Sequence, residues 1–202
     1  VHGKEVHSAY NHRGVNAVEI AAELVGFLRA MQGRIRRNGP FDPGYEPPYT
    51  TVHTGLIQGG TALNIVPAQC SFEFEFRNLP DHDAESLMAE LRGFAQDLIP
   101  DMLAIDEGAG ILFDEYNTTA GLMPDPTGEA AALARRLSGD NGAGKVSFGT
   151  EAGLFSRAGI PAVVCGPGSI AQAHKPDEFI TIDQVRRGEA FVRRLIEHME
   201  RS

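Results

Sequence analysis

The stretch from Ser71 to Arg77, with the sequence Ser-Phe-Glu-Phe-Glu-Phe-Arg, constrains the fold more than any other part of the chain. Its strict alternation of apolar and polar residues has the two-residue period of a β-strand. The three phenylalanines therefore share one face of the strand, whereas Glu73, Glu75 and Arg77 share the other. This pattern predicts a sheet that is covered by helices on the phenylalanine face only.

The segments around this strand complete a recognisable order of elements. The predicted elements are a strand at 4–9, a helix at about 15–32, strands at 49–58 and 71–77, a helix at 81–99 that stops at Pro100, and a strand at 109–113. This order is that of a ferredoxin-like sheet with two helices on its apolar face. We therefore expect residues 1–114 to form an α+β domain around a four-stranded antiparallel sheet.

Residues 115–202 have a different pattern, in which short apolar segments alternate with helical ones. The predicted elements are helices at 129–137 and 150–158, strands at 145–148 and 160–165, and a last helix that Asp183 caps and whose Val185, Phe191, Val192, Leu195 and Ile196 face inward. Alternation of this kind is typical of an α/β domain with a parallel sheet. Two strands are too few for a stable sheet, so we expect the others to come from residues outside this chain or from a partner.

Composition excludes several classes of function. The net charge is −9, with 27 acidic and 18 basic residues, which argues against a nucleic-acid surface. No apolar run is long enough to span a bilayer, and the start of the chain lacks a signal-peptide pattern, so a cytoplasmic protein is expected. Cys70 and Cys165 both lie in strand-like apolar runs, which predicts buried free thiols.

Candidate functional residues lie on tight turns bounded by glycine. His174 is in the loop that follows the predicted strand at 160–165, and Pro176 restricts the geometry of that loop. A histidine held in a fixed loop beside carboxylates is a candidate metal ligand, and the alternative is an ordinary surface histidine. The other candidate turns are 7–9, 59–67 and 148–153.

Five short motifs follow one another along the chain: Gly-Lys-Glu-Val-His7-Ser, Thr-Ala-Leu-Asn64-Ile-Val-Pro, Phe-Glu-Phe-Arg77-Asn-Leu-Pro, Phe-Gly-Thr150-Glu-Ala-Gly and Ala-His174-Lys-Pro-Asp-Glu. In this combination the chain resembles the M20 family of dinuclear zinc amidohydrolases over its whole length. The resemblance implies a catalytic α/β domain interrupted by a ferredoxin-like lid, through which the protein forms a homodimer. Residues 1–114 would be the lid, and residues 115–202 the C-terminal portion of the catalytic domain.

The resemblance also implies roles for six residues. His174 matches a zinc ligand, His7 matches the lid histidine that reaches into the partner's active site to stabilise the tetrahedral oxyanion, Asn64 and Arg77 match residues that hold the substrate's carboxylate or backbone, and Gly149 and Thr150 match residues that line the substrate pocket.

Each role has an alternative that depends on local structure alone. His7 is equally compatible with a solvated turn, and Asn64 with a hairpin position that tolerates left-handed backbone. Arg77 could instead form a surface ion pair with Glu73 or Glu75, and Thr150 could be only a helix cap.

The resemblance also has a gap, because the family's other zinc ligands and its general base have no counterpart in this chain. We therefore expect the chain to be inactive alone and to be part of a full-length enzyme that holds two Zn²⁺ ions, with Co²⁺ or Mn²⁺ as substitutes. The implied reaction removes the acetyl group of an N-acetyl amino acid, foremost N2-acetyl-L-ornithine, in arginine biosynthesis. The alternatives are another amidase of the family, such as a succinyl-diaminopimelate desuccinylase or a carboxypeptidase, and a catalytically silent lid and oligomerisation fragment.

Overall fold

The computed structural model describes residues 1–115, 117–119, 121–123, 125–142, 144–146 and 149–201. The chain divides into two compact units. The first unit comprises residues 1–118 and 146–149, and the second comprises residues 119–145 and 150–202.

The first unit combines two long helices with short antiparallel sheets. Its elements are β1 (Val6–His7), a 3₁₀ helix (Ser8–Arg13), α1 (Ala17–Asn38), β2 (Thr51–Gly59), β3 (Ile65–Val66), β4 (Cys70–Arg77) and α2 (Ala84–Ile105). The mixed helix and strand architecture predicted from the sequence is confirmed.

Strands β2 and β4 form the main antiparallel ladder. Val52 lies opposite Phe76, Thr54 opposite Phe74 and Ile57 opposite Phe72, with a bulge between Thr54 and Leu56. The three phenylalanines are partly buried and pack against a core of helix residues, namely Leu24, Leu28, Leu91 and Ala95. The two-residue period of β4 therefore places its aromatic face against the helices, as predicted.

The other two predicted strands do not join the main ladder as regular strands. Of the strand predicted at 4–9, only Val6–His7 forms, and it pairs with β3; of the strand predicted at 109–113, Gly110 takes part in an isolated bridge. His2 bridges both Gln69 and Gly110, with backbone hydrogen bonds of 2.8 and 2.9 Å between His2 and Gly110. The N-terminal segment thus lies between the start of β4 and the predicted strand at 109–113. Within the described residues, the pairing of the 109–113 segment is confined to this one bridge, so the segment does not extend into a regular strand.

Helix α2 is longer than the sequence indicates. Proline inside a helix removes a hydrogen bond and costs about 3 kcal/mol, which is why the pattern predicts an end at Pro100. The helix instead continues to Ile105, because Met102 is buried in a cluster with Val15 and Ala109. Tertiary packing of the last turn outweighs the local penalty of the proline.

The second unit is helical in its described part. It contains α3 (Glu129–Ser138), α4 (Ala152–Arg157), a 3₁₀ helix (Ile170–Gln172) and α5 (Ile182–Met199). Thr181 caps α5 by accepting a hydrogen bond from Gln184, so the predicted cap, Asp183, lies instead in the first turn.

The strand predicted at 160–165 is not formed. A strand needs a neighbour for its backbone hydrogen bonds, and no ladder contains this segment among the described residues. Ile160, Val163 and Val164 are each at least 41% exposed. Cys165 is also exposed, contrary to the prediction, whereas Cys70 is buried. The strand predicted at 145–148 includes two residues that lie outside the described part of the chain.

The inward face predicted for the last helix is only partly formed. Phe191 and Leu195 are half-buried, but Val185, Val192 and Ile196 are about half exposed. The helical period of α5 is as predicted. Val185, Val192 and Ile196 remain exposed because no described part of this unit packs over them.

Asp106 ties the end of α2 to the N-terminal segment. Its carboxylate lies 3.1 Å from the Lys4 ammonium and accepts a hydrogen bond of 2.9 Å from the Gly108 amide. The Lys4 contact and then the Gly108 hydrogen bond lower the pKa of Asp106 below its ordinary value.

We expect Asp106→Asn to lower stability slightly near neutral pH. A depressed folded-state pKa contributes stability above the unfolded pKa of about 3.9, and that contribution is lost as the pH falls through the lower folded value. The difference in unfolding midpoint between wild type and variant should therefore shrink on acidification below about pH 4. The control variant is Glu107→Gln, which neutralises an exposed neighbouring carboxylate. A difference that stays constant from pH 7 to pH 2 would contradict this assignment.

Candidate functional site

His7 and Asn64, which are far apart in the sequence, lie side by side in the first unit. Strand β1 pairs antiparallel with β3, which places His7 opposite Ile65. The Ser8 amide then donates a hydrogen bond of 2.9 Å to the Asn64 carbonyl. Both His7 and Asn64 are exposed. The β1–β3 pairing therefore brings the backbones of two of the predicted site residues close together.

The His7 ring is held by the 3₁₀ helix that it caps. Its Nδ1 accepts a hydrogen bond of 3.1 Å from the Ala9 amide. Because Nδ1 is an acceptor, the neutral ring carries its proton on Nε2. The exposed side of the imidazole is thus a hydrogen-bond donor, which is the property that stabilisation of an oxyanion requires.

Two residues beside His7 were not among the predicted site residues. The ring of Tyr10 meets the His7 ring edge-on, with the centroids 6.4 Å apart. The guanidinium of Arg13 lies over the Tyr10 ring, 5.4 Å from the ring centroid. The spacing of three residues inside a helical turn was the only sequence signal for this cation–π contact.

Arg77 ends β4 on the sheet face opposite the phenylalanines. Its Nε and Nη2 donate hydrogen bonds of 3.0 Å to the two carboxylate oxygens of Glu75. The two side chains are 53% and 48% exposed, so the pair itself contributes little to stability. This is the surface ion pair that the sequence offered as the alternative role of Arg77, and it has the two-point geometry in which a guanidinium binds a carboxylate.

The remaining predicted residues lie in loops. Gly149 is exposed and Thr150 is half-buried. The Thr150 hydroxyl accepts a hydrogen bond of 3.3 Å from the Ala152 amide, although the cap position of α4 is occupied by Glu151. The helix predicted to begin at Thr150 therefore begins two residues later.

His174 is exposed, in a left-handed backbone conformation with φ 59°. Non-glycine residues seldom adopt this conformation, and here the loop is closed by a hydrogen bond of 3.1 Å from the His174 amide to the Glu178 carboxylate. Within the described part of the chain, no hydrogen bond of the His174 imidazole is among the contacts that fix this loop.

The described residues do not complete a metal site. Among them, no group of three His, Cys, Asp or Glu side chains is placed to hold a metal ion. A catalytic zinc normally takes three protein ligands. His174 can supply at most one of these, so the described residues of this chain do not fit a resident catalytic metal by themselves.

The second unit also contains an apolar cleft of about 490 Å³ between its helices and the 160–165 segment. The residues that line it include Leu133, Phe155, Cys165 and Phe191. None of the predicted site residues lines this cleft. Its walls supply no charged group and therefore do not resemble a site for amide hydrolysis.

No helix in the described part of the chain is both long and apolar enough to cross a membrane.

Comparison with known families confirms the resemblance to the M20 family that the sequence motifs indicated. Residues 53–198 match the sequence model described as peptidase family M20/M25/M40, and residues 1–102 match the peptidase dimerisation domain. The chain belongs to the M20/M25/M40 peptidase family, whose members are hydrolases and are generally metal-dependent.

Within this family, the chain is similar to acetylornithine deacetylases. It is 34% identical to that of Myxococcus xanthus over 198 residues, which are 98% of this chain and 50% of the relative. It is 30% identical to that of Photorhabdus laumondii subsp. laumondii over 199 residues, which are 97% of this chain and 49% of the relative. The chain thus spans about half the length of these relatives.

Two solved structures share the fold. A tripeptidase from Staphylococcus aureus matches with a TM-score of 0.65 and 21% identity, covering 100% of this chain and 50% of that one. The aminopeptidase PepT from Bacillus cereus matches with a TM-score of 0.61 and 21% identity, covering 95% of this chain and 48% of that one. At this identity the likeness shows the fold alone.

Proposed function

We propose that this chain is the lid and the C-terminal part of a dinuclear zinc amidohydrolase that releases acetate from an N-acetyl amino acid, foremost N2-acetyl-L-ornithine. The observation that carries the proposal is the 34% identity to an acetylornithine deacetylase over 98% of the chain. The pairing of the segments that carry His7 and Asn64 supports it, because it holds these two exposed residues close to each other in the first unit. The reaction would belong to arginine biosynthesis, in the cytoplasm.

His7 would act as the donor to the developing oxyanion. The Ala9 amide fixes the ring by occupying Nδ1, so the Nε2 proton is aimed before the substrate arrives. A donor arranged in advance stabilises negative charge without reorganisation during the reaction. Asn64 would bind the substrate backbone beside it.

Arg77 would bind the substrate's carboxylate. The Arg77 Nε and Nη2 donors of the planar guanidinium both bind the Glu75 carboxylate. A carboxylate of the substrate has the same geometry as that of Glu75 and would exchange with it. Gly149 and Thr150 would line the remainder of the pocket.

His174 would be one of the zinc ligands, and the others would come from residues outside this chain. When bound, the two ions would polarise the amide carbonyl and supply hydroxide near neutral pH, and Co²⁺ or Mn²⁺ would substitute for zinc. We further propose that residues 1–114 form the lid, that 115–202 belong to the catalytic domain, and that the dimerisation domain joins two copies so that His7 serves the partner's active site.

Arg77→Lys is expected to raise the Michaelis constant about tenfold, because lysine offers one point of charge instead of a planar fork. The measurement is steady-state hydrolysis of N2-acetyl-L-ornithine by the full-length protein. Arg36→Lys, on the exposed side of α1, is the matched control. An unaltered Michaelis constant in Arg77→Lys would instead assign Arg77 to the surface pair with Glu75.

The reaction itself is tested by offering the full-length protein three substrates in parallel: N2-acetyl-L-ornithine, an N-succinyl-diaminopimelate and a short peptide. The proposal expects the highest kcat/KM for the first. Preference for either of the others would move the chain to another amidase or peptidase of the family. Failure to hydrolyse all three would favour a silent lid and oligomerisation fragment.

A further inference from the structure

Thr50 has an unusual environment for a polar side chain. It is 0% exposed and is the one buried polar residue in the part of the chain that the structure describes. Its hydroxyl oxygen accepts a hydrogen bond of 3.0 Å from the Leu79 amide and lies 2.7 Å from Nδ1 of His82. A hydroxyl can accept one hydrogen bond and donate another, so these two partners offset its burial.

The segment that Thr50 holds is the connection between β4 and α2. Within it, the Asn78 side chain donates to the carbonyls of Leu79 and His82 at 3.2 and 3.0 Å. The His82 amide donates to the Leu79 carbonyl at 2.9 Å. The next residue, Asp83, caps α2. The connection is therefore fixed internally and attached to the start of β2 by the Thr50 hydroxyl.

Arg77 lies next to the hydrogen bond between Thr50 and Leu79, at the end of the β2–β4 ladder. It is the last residue of β4 and pairs with Thr51, the first residue of β2. Thr50 comes directly before Thr51, and Leu79 follows Arg77 by two residues, on the way to α2. The hydrogen bond from the Leu79 amide to the Thr50 hydroxyl therefore joins the two chain segments just beyond the end of the ladder.

We propose that Thr50 and His82 are positioning residues for Arg77: they fix the end of β4, and thereby the direction in which the guanidinium is presented to a ligand carboxylate. This inference rests on the substrate-binding role proposed for Arg77. It predicts that substrate affinity depends on a hydroxyl that is fully buried and that the substrate does not touch.

The first test compares Thr50→Val with Thr50→Ser in the full-length protein. Valine keeps the shape but loses the hydroxyl, whereas serine keeps the hydroxyl. We expect Thr50→Val to raise the Michaelis constant for N2-acetyl-L-ornithine about five- to tenfold with kcat within about twofold, and Thr50→Ser to restore it. In an Arg77→Ala background the same substitution should have no further effect. An unchanged Michaelis constant, or an equal rise in the Arg77→Ala background, would overturn the proposal.

A second readout does not depend on the substrate. The Arg77 Nε–H resonance of arginine-labelled full-length protein is assigned by its disappearance in Arg77→Lys. It should shift in Thr50→Val and in His82→Phe, and keep its position in Thr50→Ser. An unshifted resonance in a folded His82→Phe variant would overturn the inference even if Thr50→Val failed to fold. A shifted resonance in a protein that does not hydrolyse N2-acetyl-L-ornithine would instead remove the proposed function and leave the positioning intact.

Discussion

Replacing His7 with alanine is expected to lower kcat of the full-length protein by a factor of about 100 to 1,000, with a much smaller change in the Michaelis constant. The imidazole presents its Nε2 proton because Nδ1 is occupied by the Ala9 amide. The variant removes a donor whose interaction strengthens as the oxyanion forms, so the loss falls on turnover. Steady-state kinetics and elemental analysis of bound metal, measured on the same preparation, test this expectation.

Two companion variants separate catalysis from local structure. His7→Asn keeps an acceptor near the position of Nδ1, and with it the cap of the 3₁₀ helix, but removes the Nε2 donor; its kcat should remain low. His12→Ala changes an exposed histidine in the same 3₁₀ helix and should leave kcat unchanged. Turnover at the wild-type level in His7→Ala, or a fall that merely follows a loss of metal, would remove the oxyanion role.

The largest effect on stability is expected from Leu91→Ala. Leu91 is 0% exposed and packs with Leu24, Leu28 and Ala95 beneath the phenylalanines of β4. Truncation of such a residue loses its transfer free energy and leaves a cavity, at a total cost of about 2–5 kcal/mol. The measurement is hydrogen exchange of the α1 and α2 amides, which reports the opening free energy of this unit.

The control for this substitution is Leu63→Ala. Leu63 is fully exposed, at 102%, and the same change of side chain should alter the opening free energy by less than about 0.5 kcal/mol. Equal effects of the two substitutions would mean that the helices do not share a core with the face of β4 that carries Phe72, Phe74 and Phe76.

The elements that the sequence predicted well are those with a strong period and neighbours inside the chain. The alternation of β4 allowed only one orientation, because a shift of one residue would have buried Glu73 and Glu75. Helix α1 begins near its predicted start at about residue 15, because the Asn16 side chain caps it by accepting hydrogen bonds from the Val18 and Glu19 amides, but it continues to Asn38, beyond the predicted end at 32.

The predictions that failed depended on surroundings that no local pattern contains. Pro100 did not end its helix because Met102 is anchored in a tertiary cluster. The 160–165 segment formed no strand, and Cys165 stayed exposed, because a strand-like sequence still requires a partner for its backbone.

For the candidate site, the sequence predicted individual residues better than the contacts between them. The motifs singled out His7 and Asn64, and the β1–β3 pairing shows that their backbone segments lie next to each other. No motif indicated the attachment of Leu79 to Thr50, because a hydrogen bond between residues 29 positions apart has no periodic signature. For Arg77, the sequence offered Glu73 or Glu75 as an ion-pair partner, and the fold shows that Glu75 engages both donors of the guanidinium.

The most direct test of the account is ornithine release from N2-acetyl-L-ornithine by the full-length protein, measured before and after removal of metal with a chelator and again after addition of Zn²⁺. We predict ornithine and acetate in equal amounts, loss of both on chelation, and recovery with zinc. Absence of ornithine release from a folded, zinc-loaded protein that hydrolyses a peptide or an N-succinyl-diaminopimelate would contradict the account.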